Sequence, residues 1–104
     1  MNIFNKIFLL EKKIEYNFKN KNLLLLSIIH KSFSHINNEK LEFLGDSILN
    51  FIITNILYNE YKNLNEGELT YIKSILVKSN TLLKIANNIK MHEYILIGKC
   101  EKKI

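Results

Sequence analysis

A chain of 104 residues with no proline and only three glycines has very few places where a helix must stop. Proline removes a helix donor and glycine supplies the easy left-handed turn, so their scarcity favours helices joined by short connections. Hydrophobic periodicity locates those helices. Apolar residues at Ile3, Phe4, Ile7, Phe8, Leu10 and Ile14 follow a helical repeat and predict a helix over residues 3–16. Asn20 is placed to cap a second through residues 23–29, ending near Ser32. Residues 33–37 read as a loop, and a third, longer helix runs from about Glu39 to Tyr61 with Asn38 as its cap. After a connector at residues 63–65, a fourth helix spans 66–78 with acids in its first turn, where the dipole favours them. Ser79 or Asn80 caps a fifth, reaching about Lys90. The expectation is one all-α domain of about five helices over residues 1–104, without internal repeats or linkers.

Apolar content of 47% is that of a globular chain, and a chain of this size buries roughly 60–70% of its unfolded surface. The net charge of +5 fits a polyanion-binding protein, although all fifteen basic residues are lysine. The crowding of Ile, Asn and Lys is what an AT-rich coding sequence produces whatever the function, so charge is only mild support. The lone Cys100 forms no internal disulfide and needs no oxidising compartment. Lys6, Glu11, Lys12 and Lys13 interrupt the apolar residues at the start, leaving no secretory h-region. The longest uncharged run, residues 47–59, is shorter than the ~20 residues that span a bilayer, so a buried helix and a cytoplasmic address without a membrane are expected.

Within the third helix, Glu39, Glu42 and Asp46 stand at i, i+3 and i+7, inside an otherwise apolar pattern. At 100° per residue they fall within an arc of roughly 60° on one face. Like charges at this spacing repel by about 0.2–0.5 kcal/mol per neighbouring pair, so their grouping points to a cation between them. Acids in a first helical turn are also ordinary, and Glu39 is favoured there by the dipole alone. Gly45, mid-helix, costs about 1 kcal/mol relative to alanine, which suggests either a close approach by a partner helix or by a metal and phosphate beside Asp46, or simply loose helix packing.

Residues 38–49, Asn-Glu-Lys-Leu-Glu-Phe-Leu-Gly-Asp-Ser-Ile-Leu, closely resemble the signature of the ribonuclease III family, metal-dependent nucleases that cut double-stranded RNA. His30-Lys31-Ser32 resembles that family's His-basic-Ser element. Asn65-Glu66-Gly67-Glu68-Leu69-Thr70 resembles its acidic-Glu-Gly-acidic-Leu turn. Leu76-Val77, Asn80-Thr81-Leu82 and Tyr94-Ile95-Leu96-Ile97-Gly98 follow in the family's order, so the match runs from about Phe18 to Lys99.

The resemblance implies a ribonuclease III-type endonuclease fold and Mg²⁺-dependent (Mn²⁺ possible) hydrolysis of RNA duplexes, in processing of rRNA or mRNA precursors. It makes Glu42 and Asp46 the metal ligands and catalytic carboxylates, with Glu39 supporting the site and Glu66 a lower-ranked acid. It implies a homodimer through the signature helix, with Phe43 packing into the other subunit; otherwise Phe43 is an ordinary core residue. His30 reads as structural, and Tyr58, Tyr61, Tyr71 and Phe51 as core or rim. Lys31, Lys40, Lys73 and Lys78 are candidate phosphate contacts or else plain solvated surface charges. The family's nuclease domain continues past the Gly98 region into a last helix with a second Asp and Glu, and a double-stranded-RNA-binding domain commonly follows. Neither has a counterpart here, so the expectation is a domain truncated at its C-terminal side. The alternative to an active nuclease is a non-catalytic RNA-binding or dimerisation relative.

Overall fold

The computed structural model describes residues 2–99. It contains five α-helices: α1 Ile3–Ile14, α2 Lys21–Ser27, α3 Glu39–Glu60, α4 Glu66–Leu76 and α5 Ser79–Asn88, followed by a 3-10 turn at Met91–Glu93. The count and order match the expectation from sequence, but the ends differ: α2 runs Lys21–Ser27 rather than 23–29 and α4 ends at Leu76 rather than 78, while α1 and α5 differ for visible local reasons. α1 stops at Ile14 rather than Tyr16 because Glu15 turns left-handed (φ 57°), and the Tyr16 amide returns to the Glu11 carbonyl. A left-handed residue other than glycine costs roughly 1–2 kcal/mol, and the same conformation recurs at Lys90 (φ 56°). α5 starts at Ser79, but neither Ser79 nor Asn80 caps it. The Lys78 carbonyl receives the amides of Thr81 and Leu82, while Thr81 Oγ1 donates back to the Ile75 carbonyl at 2.7 Å.

The core lies at one end of the molecule. Ile7 and Leu10 of α1 pack with Leu24 of α2, then Ile28, and with Tyr94 and Leu96 from the far end of the described chain. Phe18, Leu25, Ile29 and Met91 pack around them. An isolated parallel bridge, Ile29 to Leu96, stitches the two chain segments together. The Leu96 amide donates to the Ile28 carbonyl (2.8 Å), and the His30 amide donates to the Leu96 carbonyl (2.9 Å).

One charged side chain enters this end of the fold. The buried Glu11 carboxylate accepts from the Phe18 amide at 2.6 Å and from Lys21 Nζ at 2.5 Å, closing the loop between α1 and α2. The Lys21 contact, then the Phe18 amide, holds its pKa below the ordinary 4.5. A carboxyl with a depressed folded-state pKa contributes stability that is present above the unfolded value and lost as the pH falls below it. The melting temperature is therefore expected to fall on acidification below about pH 4.5, and to fall less steeply in Glu11→Gln. Parallel acid-range thermal melts of the two proteins check this.

α3 packs differently from the buried helix expected of its composition. Of its 22 residues only Leu57 is buried, against α4. It is the one described helix long and apolar enough to cross a membrane, by length and composition. Phe51, Tyr58, Tyr61 and Tyr71 are all exposed, so none belongs to the core. With α3 extending away from the α1–α2 core, the radius of gyration is 16.1 Å, against about 13 Å for a compact domain of this size.

Candidate acidic face and its supports

The loop before α3 fixes where the acids stand. The Asn37 side-chain oxygen accepts the Glu39 amide at 3.0 Å, so Asn37, not Asn38, caps the helix with its side chain. Asn38 is used otherwise: its Nδ2 donates to the Ser27 carbonyl (3.0 Å), its amide to the Ile29 carbonyl (2.9 Å), and its own carbonyl takes the Glu42 amide (2.8 Å). The first turn of the acidic helix is thereby bonded to the exit of α2.

From that anchor, Glu39, Glu42 and Asp46 project into solvent, all three exposed. Their arc continues along the helix as Asn50, Ile53 and Leu57, the side of α3 that turns towards α4, and Asn50 Nδ2 donates to the Asp46 carbonyl at 2.8 Å. Among the described residues no ion pair or side-chain hydrogen bond engages the three carboxylates. Nor is any group of three or more His, Cys, Asp or Glu side chains placed to hold a metal ion. Glu66 is not brought to the acids. It lines a cavity of about 190 Å³ with Thr54, Leu57, Tyr58, Leu69 and Thr70, and Thr54 is already about 12 Å along the axis from Asp46.

The second acid of that turn has a structural occupation the sequence reading missed. Asn65 Oδ1 accepts the Glu68 amide (2.9 Å) while Glu68 Oε1 accepts the Asn65 amide (3.1 Å), a reciprocal capping box that starts α4. The spacing Asn-x-x-Glu was the signal for it. Phe43, 80% exposed, is not a core residue of this chain. A Cβ added at Gly45 would meet nothing within 4 Å, so no close approach to Gly45 comes from the described chain itself. Lys31, Lys40 and Lys78 are exposed, and Lys73 is half-buried.

His30, Ser32 and Gly98 form one bonded unit. The Ser32 amide donates to His30 Nδ1 at 3.1 Å, the Ser32 hydroxyl lies 2.7 Å from the same nitrogen, and Ser32 Oγ accepts the Gly98 amide at 2.9 Å. His30 is thus a joint between two chain segments. At Gly98 the fit is tight: a Cβ would stand 2.5 Å from the Ser32 carbonyl oxygen, a backbone atom that cannot swing aside. Gly98→Ala is expected to destabilise by about 1–3 kcal/mol, as overpacking does, measured as a lower urea midpoint.

The architecture is all-helical, with its acids on one anchored helix. It superposes on two structures of the nuclease domain of ribonuclease III from Campylobacter jejuni. For one the TM-score is 0.86 at 37% identity, covering 98% of this chain and 69% of that one. For the other it is 0.85 at 36%, covering 99% and 69%. The first was described for structural flexibility in the region involved in its dimer formation. Residues 20–104 match the ribonuclease-III-like family model. The chain is 48% identical over 100 residues to ribonuclease 3 of Wigglesworthia glossinidia brevipalpis and 47% identical over 95 residues to that of Aliarcobacter butzleri. These alignments cover 96% and 90% of this chain but 43% and 42% of those relatives, so the chain spans less than half their length. The chain belongs to the ribonuclease-III-like family.

The donors suit a hard cation. Glu42 and Asp46 are one helical turn apart, unpaired among the described residues and open to water. Mg²⁺ takes a few carboxylates and keeps several waters, which is what such a pair can offer.

Proposed function

We propose that this chain is a ribonuclease III-type endoribonuclease unit that acts on double-stranded RNA with Mg²⁺, or Mn²⁺ in its place. The observation that carries this reading is the pair Glu42 and Asp46, one turn apart and exposed on a helix whose first turn is bonded to α2. Mg²⁺, when bound, supplies charge neutralisation at the phosphodiester and a water of lowered pKa. The side chains do the rest. Glu42 and Asp46 would hold the ion through their carboxylate oxygens. Glu39, one turn nearer the helix start, adds negative charge at the edge of the site. Asn37 and Asn38 fix the helix so that the carboxylates keep their register. Exposed Lys31, Lys40 and Lys78, with half-buried Lys73, offer contacts to duplex phosphates, where recognition is by shape and backbone rather than by base edges.

The exposed Phe43 and the open space at Gly45 support a homodimer formed through α3. The setting we assign is cytoplasmic processing of RNA precursors. A second reading rests on a specific observation: among the described residues no third ligand joins Glu42 and Asp46. On that reading the chain is a non-catalytic relative that binds RNA or dimerises.

The deciding experiment is incubation of a labelled RNA duplex with the purified chain in Mg²⁺ and in EDTA. Metal-dependent cutting into products with 5′-phosphate ends supports the nuclease. Retained duplex binding without cutting supports the second reading.

A further inference from the structure

The acids are carried by a thinly packed stretch of α3. The one buried side chain of that helix, Leu57, lies about 22 Å along the axis from Glu42. Phe43 and Leu44, between Glu42 and Asp46, are 80% and 55% exposed. Buried apolar packing within the described chain therefore does not fix where the two carboxylates stand.

Hydrogen bonds do. Asn38, Glu42 and Asp46 follow at i, i+4 and i+8, one row on the helix, so a shift at Asn38 is passed to both acids. The Asn38 amide donates to the Ile29 carbonyl, and the preceding carbonyl, of buried Ile28, takes the Leu96 amide. The backbone that receives Asn38 is thus itself held in the core. Asn38 Nδ2 adds the bond to the Ser27 carbonyl, the last residue of α2. Among the described residues this is the one side-chain hydrogen bond that ties the start of α3 to α2. Those of Asn37 stay within residues 34–39. The Asn38 side chain makes no capping bond, since Asn37 already accepts the Glu39 amide, so the tie to Ser27 is its distinct occupation.

We propose that Asn38 is a positioning residue for the metal pair: by gripping the end of α2, its side chain sets where Glu42 and Asp46 present their oxygens. The inference rests on the reading of those acids as ligands of Mg²⁺ or Mn²⁺, and it adds a residue that touches neither ion nor RNA. A cation with strict geometry binds less tightly to carboxylates that drift, because ordering them then opposes binding. A plain helix cap would act otherwise, changing stability while leaving the metal affinity of the folded protein alone.

The test is titration of the full chain with Mn²⁺, followed by electron paramagnetic resonance without RNA. The parent is expected to bind, and Asp46→Asn to lose that binding. Asn38→Ala is expected to bind about tenfold more weakly, the scale on which supports of metal ligands act. Asn38→Ser keeps a side chain suited to a helix start but is too short for the span to the Ser27 carbonyl, and is expected to lose as much. Asn65→Ala breaks the capping box of α4, and is expected to lower the melting temperature with Mn²⁺ affinity unchanged. Circular dichroism at the titration temperature checks that each variant is folded. Parental affinity in Asn38→Ser overturns the proposal, as does an equal loss in Asn65→Ala. A parent that binds no Mn²⁺ overturns it together with the metal pair. A chain that binds Mn²⁺ but never cuts duplex RNA removes only the nuclease reading, so the two fail separately.

Discussion

Asp46→Asn is expected to lower Mg²⁺-dependent cleavage of duplex RNA by about 100-fold or more while leaving the fold untouched. The size follows from the role. A catalytic metal contributes several kcal/mol of charge stabilisation, and each 1.4 kcal/mol is a factor of ten in rate. An amide keeps the shape of the carboxylate but loses the charge that draws the ion. The fold is spared because Asp46 is exposed and its side chain makes no contact that holds the described chain together. Initial rates on a labelled duplex, beside thermal melts of both proteins, read the two halves of the expectation. Equal rates for variant and parent would remove Asp46 from the site. A lower melting temperature would make it a structural residue instead.

The second large effect is on stability. Leu10, 2% exposed, sits at the centre of a core of six buried residues. Leu10→Ala is expected to cost about 2–5 kcal/mol, the range for a leucine whose cavity cannot collapse. Small domains have only about 5–15 kcal/mol in total, so this one change approaches the whole margin. Urea unfolding followed by helical circular dichroism checks it, with Ile56→Ala as the control. Ile56 is an apolar side chain left exposed on α3, and its truncation should stay within about 0.5 kcal/mol. Similar losses in both variants would mean that α3 is packed against something in solution.

The helices were legible because the chain offers so few alternatives to them. Periodicity placed all five, and Asn20 caps α2 as its side-chain type suggested, accepting the Asn22 amide at 3.0 Å. Burial was not legible in the same way. Phe43, Phe51 and Tyr58 have the spacing of core residues, yet whether an apolar face is covered depends on what packs there, which periodicity along one helix does not encode. The roles of Asn37 and Asn38 were hidden for a similar reason. Either can cap a helix, and the choice is made by Ser27 and Ile29, eleven and nine residues away from Asn38. At the acidic face, one-turn spacing put Glu42 and Asp46 on one side of α3, and the structure keeps them there. Glu66 was distant from them because α4 meets α3 near Leu57 rather than near Asp46.

The clasp between Ser32 and Gly98 also sets an order of events during synthesis. It joins residues 66 positions apart, and the bridge between Ile29 and Leu96 closes a loop of similar size. Closing such a loop costs about 4 kcal/mol in chain entropy, before any contact within it repays the loss. Leu10, Leu24 and Ile28 leave the ribosome early but have no lid until Tyr94 and Leu96 follow. At 5–20 residues per second, that interval is some seconds of naked apolar surface on a tethered nascent chain. The stretch of translation between Ile28 and Leu96 is therefore when this protein is most in need of a chaperone.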